Sequence, residues 1–432
     1  MVNPLWRSVF LYYTYCWNMT DRRLLLIILA TVLAGPRPVS AQVDRRLDAI
    51  QSIQQGDMML RLGNSEQAYI HYTNAIQMDA ALADGYMKRA SLLQRTGRYT
   101  DARIDIDKAL QLNPMSAYIL DRRAKLNILI SDHKGAELDI EKARYLAPYD
   151  ELLRKQRVDE WLELGRADLA LQELDTLLKL HPADPNLLLK KGFTQLELGD
   201  ASGALAMADE VLRSGPSSLA HDLRGLVLLK EGDPSGALLA FDKAIALSPK
   251  LAVTWYNRSL AKRALGDRTG AVQDLDKAIE LGQDKTCFHY NRALVRKELG
   301  DLEGALADYD AVLKASPDET DALYNRAFTL KLLGDQNAAM WDAEEALRQN
   351  PSDAQAWNLK GDLHLLFGEY PEAIEHYSRA ISLSPDAAAH HYDRGLAYLM
   401  SYQLLQGCDD LRRAADMGLE KGNEALRNFC SF

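Results

Sequence analysis

From Ala49 onward, apolar residues fall three and four positions apart in short blocks, with charged residues filling the positions between. That spacing, as in Trp357, Gly361 and Leu365 and again in Ala373, Tyr377 and Ala380, predicts amphipathic helices rather than strands. The blocks have a fixed period. Ala68, Ala102, Ala136, Ala170, Ala204, Ala237, Ala271, Ala305, Ala339 and Ala373 follow one another at steps of 34 residues, with one step of 33. Five residues before nine of these alanines stands a glycine, Ser131 being the exception. Twelve residues after eight of them stands a proline, the exceptions being Ala80 and Gln283. Glycine ends a helix in a left-handed turn, Asp200, Asp267, Asp301 and Asp335 follow it as N-caps, and proline closes the next helix. Each period is therefore read as an antiparallel helix pair, A then B, and the chain as all-α.

Overlaying the periods exposes a second rule. Arginine in helix A is matched by an acid sixteen residues later at Arg89/Asp105, Arg123/Asp139, Arg157/Glu173, Arg258/Asp274, Arg292/Asp308, Arg326/Asp342 and Arg394/Asp410. Arg224 with Ala240 breaks the rule. A recurring ion pair between helices A and B is expected, and as an exposed pair each would contribute about 0–1 kcal/mol.

The pattern resembles the tetratricopeptide repeat family, best seen in the unit 354–387 with Trp357, Leu359, Gly361, Gly368, Ala373, Tyr377, Ala380 and Pro385. Ten units are read over 49–387, a divergent eleventh over 388–421 that keeps Gly395 and Ala414, and a capping helix over 422–432. The resemblance implies a right-handed superhelical solenoid of antiparallel helix pairs, with protein or peptide ligands held against helix A in a concave groove. The repeats fill nearly all of the chain after residue 48, so a separate catalytic domain is not expected.

The N-terminus reads as an address. Arg22 and Arg23 precede an apolar run from Leu24 to Ala34 and the small residues Val39, Ser40 and Ala41, the order of a secretory signal peptide cut before Gln42. The aromatic stretch before Met19 fits no part of such a signal, which suggests a start at Met19 and an over-extended 1–18. Export to a periplasm or the cell exterior is expected. If the signal is kept, the chain is a membrane-tethered scaffold or assembly factor. The net charge of −10 becomes −13 without residues 1–41, which disfavours nucleic acid as a partner.

Reactive constellations are missing. The nine histidines form no i, i+4 pair, and no nucleophile elbow, P-loop or dinucleotide fingerprint occurs, so neither enzyme activity, a metal, a cofactor nor a small-molecule substrate is expected. Cys408 and Cys430 are candidates for a disulfide that staples the end of an exported array, and Cys287 is expected to be half-buried. Three consecutive units repeat Tyr256-Asn257, Tyr290-Asn291 and Tyr324-Asn325, followed by Arg263, Lys297 and Lys331. A row of amides with aromatic and basic neighbours suits an extended, acidic peptide. The same row is also explained, without any ligand, as a favoured filling of helix A whose amides bond locally. Asp222 and Leu226 stand where a chaperone-tail clamp needs Lys and Asn, so that partner is not expected.

Overall fold

The computed structural model describes residues 39–282 and 286–430, and every described element is a helix. Of the expected signal segment 1–41, residues 1–38 lie outside the described residues, and Val39, Ser40 and Ala41 open the first helix. The described residues fall into two compact units, 39–177 and 178–430. In the first, repeats 1 to 4 are α1 (Val39–Arg61) and α2 (Ser65–Met78), α3 (Ala83–Arg95) and α4 (Tyr99–Leu112), α5 (Ala117–Leu129) and α6 (His133–Leu146), and α7 (Glu151–Glu163) and α8 (Ala167–Leu180). In the second, repeats 5 to 8 are α9 (Pro185–Glu197) and α10 (Ala201–Ser214), α11 (Ser218–Lys230) and α12 (Pro234–Leu247), α13 (Ala252–Ala264) and α14 (Arg268–Leu281), and α15 (Thr286–Leu299) and α16 (Leu302–Ala315). Repeats 9 to 11 are α17 (Thr320–Leu333) and α18 (Gln336–Gln349), α19 (Ala354–Phe367) and α20 (Tyr370–Leu383), and α21 (Ala388–Met400) and α22 (Leu404–Asp416); α23 (Glu420–Phe429) closes the array. Each unit is an all-α solenoid of paired antiparallel helices. The first helix is longer than expected, starting at Val39 instead of Ala49.

The local chemistry explains the periodicity. The turn glycines all adopt positive φ, for example +85° at Gly334, and the following aspartates accept from the backbone of the first turn of helix B, as Asp301 does from Gly304 N at 3.0 Å. Repeats 3 and 11 make the same turn with Ser131 and Tyr402 at φ 61° and 62°. All ten crossing alanines are fully buried. In three repeats the residue four positions beyond, Tyr72, Phe241 or Tyr377, is an aromatic that reaches across to a helix A glycine. A methyl group on Gly225 would lie 2.5 Å from the Phe241 ring, and one on Gly361 would lie 2.6 Å from Tyr377. At the other end of the pair, the fourth residue of helix A bonds the turn that precedes it. Trp255 Nε1 donates to Pro249 O at 3.0 Å, Trp357 Nε1 to Pro351 O at 2.9 Å, and the Tyr86 hydroxyl to Ala80 O at 3.4 Å.

Candidate functional site

The seven arginine–acid pairs all form. Six are bidentate, as in Arg326, whose Nε and Nη2 each lie 2.7 Å from Asp342. In the seventh, Glu173 takes Nε of Arg157 at 3.2 Å and Nη1 of Arg154 at 2.6 Å. The recurring interhelix pair is present as expected, and its acids Asp105, Asp139, Glu173, Asp274, Asp308, Asp342 and Asp410 are all buried, so the small worth of an exposed pair does not apply. The guanidinium also reaches backward, to the residue sixteen positions earlier. Arg123 bonds Asp107, Arg258 bonds Asp242, Arg292 bonds Asp276 and Arg326 bonds Asp310, at 2.6–2.8 Å. Thr73 and Ser378 take the same place for Arg89 and Arg394. One arginine thus joins helix A and helix B of its own repeat to helix B of the repeat before. Arg224, which lacks the forward acid, keeps a backward contact to Asp209 at 3.2 Å.

The Tyr-Asn row is occupied by the protein itself. Asn257 is buried, and its amide donates to both oxygens of Asp222 at 3.0 and 3.2 Å. Asn291 donates to Cys287 O and the Tyr256 hydroxyl, and Asn325 donates to Asp321 O and the Tyr290 hydroxyl. The amides stitch each helix A to the one before it, at a spacing of 35 residues. Tyr324 packs beside Ala327, Ala339 and Leu359. The bases are partly used as well. Arg263 holds Glu298, Lys331 lies 2.6 Å from Asp362, and Lys297 donates to Asn325 Oδ1 at 2.8 Å, both lysines flanking the Phe328 ring. Cys287 is exposed rather than half-buried, and it lines a cleft of about 210 Å³ with Tyr290, Glu319 and Asp321.

The same 35-residue stitch recurs where sequence reasoning did not look for it. Asn358 donates to Asp393 at 2.9 Å and meets His390 Nδ1 at 2.8 Å. With its amide nitrogen turned to Asp121, Gln156 donates to both carboxylate oxygens at 3.0 and 3.2 Å. Three of these seams hold carboxyls with too little positive charge. Burial pushes Glu160 up to about 8, helped by the charge of neighbouring Asp121 and opposed by Lys125 and Arg157. Burial also raises Asp393 to about 6, against the Asn358 hydrogen bond, and raises Asp222 against the hydrogen bonds from Asn257. The signal for these seams was present as polar residues at the fifth and sixth positions of helix A.

Open clefts remain on the row of A helices. One, of about 310 Å³, lies over repeats 2 and 3 and includes Met87, Lys88, Ser91, Gln94, Tyr118 and Arg122. Cys408 and Cys430 are joined by a disulfide with Cα atoms 5.7 Å apart, tying α22 to the end of α23. Among the described residues no His, Cys, Asp or Glu group could hold a metal ion, and no helix is long and apolar enough to cross a membrane. The sequence carries no nucleophile elbow, P-loop or dinucleotide fingerprint.

Family models of the tetratricopeptide repeat match residues 83–114, 162–227, 256–320, 290–340 and 361–401, together just over half of the chain. No curated protein matches the sequence. Among solved structures, the APC/C hetero-tetramer Cut9–Hcn1 contains a chain 14% identical, covering 94% of this chain and 98% of that one with a TM-score of 0.48. A tetratricopeptide repeat protein from Parabacteroides merdae is 20% identical over 57% of this chain and 99% of that one, with a TM-score of 0.46. YrrB, described as a TPR protein with an unusual peptide-binding site, is 21% identical over 44% of this chain and 98% of that one, with a TM-score of 0.37. With the 34-residue period, the αL turn and the buried crossing alanine all in place, the chain belongs to the tetratricopeptide repeat family.

Proposed function

We propose that this chain is an exported interaction or assembly module that binds a protein or an extended peptide segment along its row of A helices. The observation that carries the reading is a surface of tandem helix pairs that offers polar and apolar clefts but no group poised for chemistry. Export is supported by the Arg22-Arg23 segment with its apolar run, and by the Cys408–Cys430 bond, which persists in oxidising compartments. Crosslinking and affinity recovery from that compartment test the binding function, and recovery of no specific partner counts against it. Mass measurement of the exported chain tests the address. A mature N-terminus at Gln42 supports cleavage, whereas a retained segment from Leu24 to Ala34 in a detergent-dependent protein supports the membrane-tethered scaffold.

The Asn257, Asn291 and Asn325 row is kept as a peptide site only if a ligand displaces its internal bonds. Under that reading Asn257→Ala/Asn291→Ala/Asn325→Ala loses the partner while retaining its helix content.

A further inference from the structure

The lining of the cleft over repeats 2 and 3 divides by chemistry. Met87 and the exposed Tyr118 ring give apolar surface above the buried Ala90 and Ile106, Ser91 and Gln94 give a hydroxyl and an amide, and Lys88 and Arg122 give cations. Lys88 is paired with Asp57 at 2.7 Å. Arg122 is not paired. Its Nε donates to the Tyr118 hydroxyl at 3.2 Å, its guanidinium lies 5.1 Å from the centre of that ring, and no carboxylate among the described residues bonds it. The contrast with its neighbour is direct, because Arg123 is held by Asp139 and Asp107 together. Stacking on Tyr118 orients the guanidinium while leaving both terminal NH2 groups unpartnered, the arrangement that receives a planar carboxylate through two parallel hydrogen bonds. Asp84 is the single acid in the lining.

We propose that this cleft is a recognition site for an acidic, extended segment of a partner protein. Arg122 clamps a Glu or Asp side chain, Ser91 and Gln94 hydrogen-bond the neighbouring peptide groups, and the apolar surface takes an adjacent aliphatic residue. The inference rests on the peptide-binding reading and moves the anchoring contact from repeats 7–9, whose amides are occupied, to repeats 2 and 3.

The test uses the full chain and two blocked, fluorescein-labelled hexapeptides, Ac-LELELE-NH2 and its glutamine counterpart Ac-LQLQLQ-NH2, read by fluorescence anisotropy. The glutamate peptide should bind roughly tenfold more tightly than the glutamine one, weaken roughly tenfold with Arg122→Ala, and weaken as salt is raised. Arg122→Glu should transfer the preference to Ac-LKLKLK-NH2, a gain that misfolding could not produce. Equal binding of the glutamate and glutamine peptides overturns the proposal, and so does binding unchanged by Arg122→Ala. An Arg122-dependent dimer in sedimentation, with no peptide bound, also overturns it in favour of a second copy. If a partner captured from the exported compartment is retained by Arg122→Ala, this cleft is refuted and the broader binding reading stands; if no partner is captured at all, it is the broader reading that fails.

Discussion

Asp308 shows what one buried carboxylate demands of its surroundings. Burial alone would raise its proton affinity, yet hydrogen bonds from Arg292 and His289 hold it below the ordinary carboxylate range. Removing one partner of such a pair leaves the other charge buried and unpaired. Asp308, however, keeps Arg296 Nη1 at 2.9 Å and His289 Nδ1 at 3.0 Å, so Arg292→Ala should cost about 2 kcal/mol, less than a full orphaning of the charge. Glu345→Ala, which breaks the Arg348 pair at the surface, should leave the same denaturant titration nearly unchanged. Glu160 makes the opposite case. Its folded value near 8 lies above the ordinary 4.5, so the folded chain holds this proton more tightly than the unfolded chain does. Its contribution to stability is fully present below about pH 4.5 and is lost as pH rises through about 8. The unfolding free energy should decline across that window, by at most about 1.4 kcal/mol per pH unit, and Glu160→Gln should flatten the decline. A parallel decline in the variant would show that Glu160 does not hold the proton.

At the level of helices, glycine serves two purposes that substitution separates. Gly334 lies at φ +85° with nothing near a prospective methyl group, so Gly334→Ala strains the backbone alone and should cost about 1 kcal/mol. Gly225 is helical, and an added methyl would meet the buried Phe241 ring at 2.5 Å. Gly225→Ala should cost about 1–3 kcal/mol through overpacking, and Phe241→Leu should recover part of that loss while doing nothing for Gly334→Ala. Thermal melts of the two double variants decide it. The turn glycine was legible in the sequence because its backbone demand excludes most other residues, and it recurs in nine of the ten regular periods. Arg292 and Asp308 were legible for the same reason. The seams were not. Asn257 meets Asp222, Asn291 meets Tyr256, and Asn358 meets Asp393, so the chemistry changes from repeat to repeat and only the 35-residue spacing is constant. An asparagine that closes such a seam and one that faces a ligand carry the same letter at the same position. What distinguishes them is whether the preceding helix offers an acceptor, and the Arg122 cleft was missed for the same reason.

Across each unit, successive helix pairs bury their faces mainly against their sequence neighbours, so stability is close to a sum of repeat terms and adjacent-interface terms. In such an array a local lesion stays local unless it lies between two units that depend on it. The last pair is the exposed case, since α22 has only α23 beyond it, and α23 is a short helix with two buried residues, Gly422 and Ala425. The Cys408–Cys430 bond closes a separation of 22 residues over this end. By the chain-entropy account a closed loop of that size contributes about 3 kcal/mol, nearly all of it to the segment enclosed. Reduction should therefore release α22 and α23 without unfolding the chain. Hydrogen exchange followed by mass spectrometry should show protection falling by about two orders of magnitude in peptides from 404–430. Peptides from α3 to α6 should keep theirs, and Cys408→Ser/Cys430→Ser should reproduce the pattern without reductant. A loss spread evenly over the whole chain would mean that the repeats unfold as one body, and the description as a sum of nearest-neighbour terms would have to be abandoned.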